Sequence, residues 1–343
     1  MRVCAKQFAI IGCQHAHIGI FISEMLQLGY TCAGLYEDEN DQLAGSLSRQ
    51  YGIPLVQDKE SLLSDTVEVV GCASINDRKI DVIELCESRG KHVMLDKPAV
   101  TGREGLDRLK GVIDRGRIQI GMLLTERFHP AIYTLKRNIG LGVLGEIVTI
   151  GMRKPHRLNA ASRPAWFFSK HQSGGILVDL LVHDFDLLRW LTGKELVSVQ
   201  GYVSKTVMPE HPTFYNTASV QVEIEDCIVA QLYADWHMPE QSWTWGDGRI
   251  YVTGTEGIAE LRLQGDPLVG EEPSLLIQLT NREPVVRVPL LEPPYSISHD
   301  FVRRIEGLDC IVSHEDIVKT SEATIWADES AAYLQLDVKE PQR

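Results

Sequence analysis

Apolar residues over the first 122 positions come in short unbroken runs, at 8–12, 32–36, 67–72, 92–95 and 118–122. Between the runs lie stretches at 18–28, 41–51, 79–89 and 103–115 whose apolar residues recur every three to four positions. Unbroken apolar runs suit strands covered on both faces, and the intervening periodicity suits helices. Strand and helix in regular alternation predict a parallel, doubly wound α/β sheet of Rossmann type over residues 1–127.

Beyond residue 128 the pattern changes. Ala218, Val220, Val222 and Ile224 alternate with Ser219, Gln221, Glu223 and Glu225, the signature of an antiparallel strand with one wet face. A turn at Asp226 leads into a strand at 228–234, and further strands are expected at 147–153, 249–253, 258–263, 276–279 and 285–290. Residues 128–343 are therefore expected to form an α+β domain around a large, mainly antiparallel sheet, whose uncovered face is expected to carry an oligomer contact.

The first strand runs into Gly12-Cys13-Gln14-His15-Ala16-His17 and then a helix, where a dinucleotide fold turns around a pyrophosphate. Only the first glycine of G-x-G-x-x-G is present, since Gln14 and His17 stand at the second and third positions. Either the side chains of Gln14, His15 and His17 take over part of the phosphate contact, or they fill space beside the strand. Glu37, at the end of the second strand, suits a ribose 2′-hydroxyl and repels a 2′-phosphate, which favours NAD over NADP. It also belongs to an acidic run with Asp38 and Glu39 that could simply be solvated.

The fourth strand ends in Asp96-Lys97-Pro98, putting a lysine at the carboxyl edge of the sheet, where open α/β folds bind ligands. Residues 174–193 read as one helix stopped at Gly193. At ~100° per residue Asp179, His183, Asp186 and Trp190 share a stripe, with Leu177, Leu181 and Leu188 opposite. An aspartate one turn before a histidine is either a satisfied core pair or an oriented base.

Composition narrows the partners. The chain has 343 residues, 44% apolar and 24% charged, which is ordinary for a folded protein of about two domains. Lys and Arg number 34 against 47 Asp and Glu, a net charge of −13 that repels nucleic acid and anionic lipid alike. No apolar stretch approaches the ~20 residues of a membrane helix, and residues 1–8 show no signal-like apolar run, so a cytoplasmic location is expected. The seven cysteines contain no C-x-x-C pair and read as reduced core residues.

Together these segments resemble the Gfo/Idh/MocA family, oxidoreductases of the glucose-fructose oxidoreductase and inositol dehydrogenase type. The resemblance rests on the first strand with Gly12, on Glu37, on Ser74-Ile75-Asn76, and on Gly90-Lys91-His92-Val93 leading to Asp96-Lys97-Pro98. Arg127-Phe128-His129-Pro130 and, most specifically, 174–193 complete it, with weaker matches at Asp235-Trp236, Gly254-Thr255-Glu256-Gly257 and Glu329-Ser330-Ala331. It implies NAD as cofactor, held by Gly12, Cys13, Gln14, His15, His17, Glu37, Ser74, Asn76, Asp96 and Lys97. It implies catalytic positions at Lys97, Asp179 and His183, substrate contacts from Lys97, Arg153, Trp166, Asp179, His183 and Trp236, no metal, and a homo-oligomer. The reaction it implies is hydride transfer between nicotinamide and a carbinol or carbonyl carbon of a sugar, an inositol or a related polyol. Asp96 stands where the family usually has Glu, Ile75 where it often has Pro, and Lys79 where it often has His.

Two other readings compete. His15-x-His17 with Lys97, Asp179 and His183 resembles the metal constellation of amidohydrolase barrels, but such a barrel needs eight βα units, and the alternation at 218–225 opposes it. A Rossmann protein with an altered phosphate turn could also be a non-catalytic ligand sensor.

Overall fold

The computed structural model describes residues 6–270 and 273–335. The chain divides into two compact units: Met1–Thr125 with His171–Gly174 and Pro294–Glu322, and Glu126–Lys170 with Gly175–Pro293 and Ala323–Arg343. The boundary at 127/128 expected from sequence does not anticipate that Pro294–Glu322 clusters with the first unit.

In the first unit β1 (Gln7–Cys13), β2 (Thr31–Tyr36), β3 (Val67–Ala73), β4 (His92–Leu95) and β5 (Ile120–Met122) form a parallel sheet of order β2-β1-β3-β4-β5. The helices α1 (Ile18–Gln27), α2 (Gln42–Tyr51), α3 (Lys79–Ser88) and α4 (Arg103–Arg115) connect them. Gly52 and Gly116 end α2 and α4 in the left-handed conformation, the expected stop for a helix returning to a strand. This is the doubly wound sheet that the apolar runs predict; β1, β3, β4 and β5 are buried on both faces, whereas the edge strand β2 is half-exposed.

The edge strand β5 is closed by residues far along the chain. Ile120 donates its N–H to His314 Nε2 at 2.9 Å, and its carbonyl accepts from the Arg304 guanidinium. Phe301 packs so near Gly121 that a Cβ there would come within 2.8 Å of its ring. Glu24 on α1 accepts the N–H of Ser298 at 2.9 Å. An open edge is thereby converted into satisfied, covered backbone.

The second unit contains α5 (Pro130–Gly140), β6 (Ile147–Pro155), α6 (Lys170–Ser173, most of it in the first unit), α7 (Val182–Thr192), β7 (Leu196–Lys205), β8 (Thr217–Ile224), β9 (Ile228–Asp235), β10 (Arg249–Gly254), β11 (Gly257–Arg262), β12 (Leu275–Thr280), β13 (Val286–Arg287) and β14 (Ala332–Gln335). α8 (Ile297–Ile305) belongs to the first unit, and α9 (His314–Ser330) begins in the first unit's segment and ends in the second's. The nine strands pair in the order β13-β12-β11-β10-β6-β9-β8-β7-β14, antiparallel except for β6 with β9 and β14 with β7. β8 alternates buried and exposed residues without a break, as its sequence requires.

Sequence periodicity does not reveal β7, because its inward positions include Gly201 between Val199 and Val203 while the apolar Val197 and Tyr202 face outward. The strand expected at 285–290 shrinks to two residues in β13. Of the cysteines, Cys13, Cys72 and Cys86 are buried, but Cys227 is exposed beside the left-handed Asp226 of the β8–β9 turn, so the core reading fails for it. Cys4 lies outside the described residues.

Candidate active site

Strand order β2-β1-β3 places the topological switch at the carboxyl ends of β1 and β3, where a crevice opens in such sheets. Gly12 sits at that point with φ +89°, and a Cβ on it would lie 2.0 Å from Ser74 Oγ. No other residue type fits both the backbone and the space. The N–H of Cys13 donates to Glu37 Oε2 at 2.5 Å, and Glu39 N–H donates to Oε1 at 2.8 Å, so Glu37 is locked against the turn. Gln14 gives its main-chain N–H to Ala73 at 2.7 Å and its side-chain amide to Asn40 at 3.2 Å. Asn76 is buried and donates to the carbonyl of Ser173 at 2.9 Å. A narrow glycine turn with a fixed carboxylate beside it fits an adenosine diphosphate moiety of a dinucleotide.

Beyond β4 the structure brings three polar residues together. His15 Nδ1 lies 3.1 Å from one oxygen of Asp96 and His17 Nδ1 lies 3.1 Å from the other. Asp96 is 1% exposed. Burial pushes its carboxyl up, but His15, Lys79 and His17 outweigh this and hold it well below the usual carboxylate range. Lys79, on α3 and fully buried, donates to the carbonyls of Asp96, Lys97 and Pro98 at 2.8, 3.0 and 3.1 Å. Its ammonium fixes the turn that carries Lys97, itself buried. Sequence reasoning noticed Lys79 only as a departure from a family pattern. Its signal was a lysine at the first position of a helix packed against a strand end.

In the second unit the segment expected as one helix is two. Residues Ile176–Leu180 form a π-turn, closed by Leu181 N–H on the Ile176 carbonyl, and α7 starts afresh at Val182. Gly174 and Gly175 enter it with φ of +88° and +72°, and the i→i+5 closure shifts the phase that a 100° wheel assumes. Asp179 lies in the π-turn and His183 in the first turn of α7, both buried. Asp186 serves another purpose than the shared stripe suggests. It receives two parallel bonds from Arg127 at 2.8 and 2.6 Å, with both side chains 1% exposed and the guanidinium 5.5 Å from the Trp190 ring. Lys154 bridges Asp184 at 2.8 Å and Glu126 at 2.6 Å, and burial still pushes Asp184 up to about 6.

The substrate residues expected from sequence separate. Trp236 lies against Phe167 and His156, with ring centroids 5.3 and 5.9 Å apart, and Trp166 adjoins Phe167 at 6.3 Å. The buried Trp166 Nε1–H has no acceptor among the described residues. Arg163, which sequence reasoning missed, caps this cluster at 4.3 Å from Phe167 and 5.4 Å from Trp236. Burial lowers its pKa against the opposing field of Asp179. Arg153 is not part of this group. Neighbouring residues on a strand face opposite ways, so Lys154 turns inward while Arg153 lies on the wet face of the sheet over Tyr233, 5.1 Å from its ring.

Residues 6–119 match the model of an oxidoreductase family with an NAD-binding Rossmann fold, and residues 132–260 match the GFO/IDH/MocA C-terminal domain. The chain is 31% identical over 181 residues to scyllo-inositol 2-dehydrogenase (NAD(+)) of Bacillus subtilis, covering 52% of this chain and 50% of that protein. It is 26% identical over 208 residues to inositol 2-dehydrogenase 2 of Saccharopolyspora erythraea, covering 60% and 58%. The chain thus spans about half the length of the curated relatives it matches. A crystal structure from Erwinia carotovora atroseptica superposes with a TM-score of 0.86 at 25% identity, over 96% of this chain and 99% of that one. Levoglucosan dehydrogenase in complex with NADH has the same fold, with a TM-score of 0.78 at 19% identity over 94% and 96%.

Proposed function

The chain belongs to the Gfo/Idh/MocA oxidoreductase family, and from that premise we propose that it is an NAD-dependent dehydrogenase acting on a sugar, an inositol or a related polyol. The observation that carries the reading is the turn at Gly12, too close to Ser74 for any side chain and flanked by the anchored Glu37. Residues 1–127 form the dinucleotide domain and 128–343 the substrate domain in this reading, with Pro294–Glu322 lending structural support to the first. Gly12, Cys13, Gln14, Glu37, Ser74 and Asn76 border the cofactor, and bound nicotinamide supplies the hydride acceptor or donor.

The protein's own groups handle the proton and the developing charge. Imidazole exchanges protons near neutral pH, so His183 takes the proton of the substrate hydroxyl in the oxidative direction, with Asp179 favouring its charged form. Lys97, held by the Lys79-bound turn, steadies negative charge on the substrate oxygen. Trp166 Nε1–H is a buried donor that a sugar hydroxyl would satisfy, and Trp236 offers a ring face to a polyol. Free thiols at Cys13, Cys72 and Cys86 suit a reducing cytoplasmic setting.

NADH is expected to bind more tightly than NADPH, because a 2′-phosphate would meet the Glu37 carboxylate. Fluorescence titration with both reduced cofactors tests this, and Glu37→Ala should narrow the gap. Equal affinities in the unaltered protein would remove Glu37 from the role. Lack of binding by both cofactors would favour the sensor reading.

The wet face of the nine-stranded sheet is the surface for self-association. It exposes Tyr202, Val229, Tyr251, Ile258 and Leu279 along successive strands. A dimer through this face would also bury Arg153 and Tyr233. Sedimentation equilibrium at micromolar concentration is expected to give at least twice the monomer mass. A monomer alone would refute the assembly.

A further inference from the structure

We propose that His15, His17 and Asp96 hold one divalent transition-metal ion, zinc by preference, at the carboxyl edge of the parallel sheet. The three donor atoms lie within 4.8 Å of one another, and each histidine Nδ1 is 3.1 Å from a different oxygen of Asp96. Donors bound tetrahedrally to one ion at ~2.0–2.2 Å stand ~3.3–3.5 Å apart, close to the separations already present. The two imidazoles cross at 71° with centroids 4.2 Å apart, so they approach the carboxylate from two sides.

A second observation points the same way. Asp96 Oδ2 is buried and has no hydrogen-bond donor, although it faces His15 Nδ1 at 3.1 Å. The main-chain N–H of His17 also points to that Nδ1 at 3.4 Å, which keeps the His15 ring turned towards the carboxylate. A cation held between the imidazole nitrogens and the carboxylate would give the buried Oδ2 its partner. Two imidazoles and one carboxylate form a donor set for zinc, cobalt or iron in preference to magnesium or calcium, with a position left for water or an oxyanion. The histidine side chains are 25% and 37% exposed, which leaves an entry path. Behind the site, Lys79 fixes the main chain of the strand end that carries Asp96.

The sequence showed the His15-x-His17 pair but led to an expectation of no metal, because the fold is not a barrel. The third donor comes from the end of β4, 79 residues away from His17, which local spacing does not disclose.

The site shares its turn with the residues assigned to the dinucleotide, so the metal alone, with no cofactor present, is the probe, and its outcome is distinct from that of the NADH titration. The full chain, stripped with a chelator and freed of it, is titrated with Co²⁺ and then challenged with Zn²⁺. One equivalent should bind per chain, with visible d–d absorption that zinc abolishes. His15→Gln and His17→Gln should each weaken uptake at least ~100-fold. X-ray absorption of the unaltered complex reads the donor set without any variant, and should show two imidazoles and no sulfur. Substoichiometric uptake, retention in the doubly substituted chain, or a thiolate ligand would each overturn the site.

Discussion

His183→Ala and Lys97→Ala are each expected to lower kcat on the authentic polyol by at least ~100-fold, the ordinary scale for removing an acid–base or charge-stabilising group. His183 occupies the first turn of α7, and Lys97 occupies a turn whose main chain is tied by three bonds to Lys79. Removing either side chain therefore leaves the backbone supports in place. NADH affinity and the circular dichroism spectrum should change little, and that separates a chemical role from a packing one. Near-normal turnover in either variant would make that residue structural. His183→Gln, which keeps the volume and a polar end, should rescue the fold if His183→Ala weakens it, but should not rescue turnover.

The second large effect concerns stability. Arg127→Met should cost roughly 3–5 kcal/mol, because it leaves the Asp186 carboxylate buried without its guanidinium. For a unit of this size that corresponds to a fall in Tm of roughly 6–20 °C. Arg127→Met combined with Asp186→Leu should recover much of the loss, since the desolvation of both charges disappears together. Thermal scans of the single and double variants decide it. Two losses that simply add would show that the pair is not coupled, whatever its geometry.

The parallel sheet was readable in the sequence because burial on both faces leaves no polar residue to interrupt a run. β4 and α4 begin and end where periodicity alone puts them. Other elements escaped for physical reasons. Gly201 and Tyr202 blur the alternation in β7, and the π-turn at Ile176–Leu180 offsets Asp179 from the phase of α7, while within α7 the partner that claims Asp186 is Arg127, 59 residues earlier in the chain. Site residues that act through distant partners were the least legible. Lys79 works through three main-chain carbonyls of another strand end, and Arg163 through aromatic faces from two loops. Arg153 stood next to Lys154 in sequence and on the opposite face in space.

The closure of β5 by His314, Arg304 and Phe301 bears on how the protein is made. Ribosomes release the strand long before the helices that cover it. At about 5–20 residues per second, Pro294–Glu322 follows Thr125 by roughly 10–30 s. Throughout that interval the nascent sheet presents an unpaired apolar edge, open to the same strand of a neighbouring nascent chain on the polysome. Early termination before Pro294 would leave that edge permanently bare, giving a product destined for chaperone capture or inclusion bodies even though every strand of its parallel sheet has been synthesised.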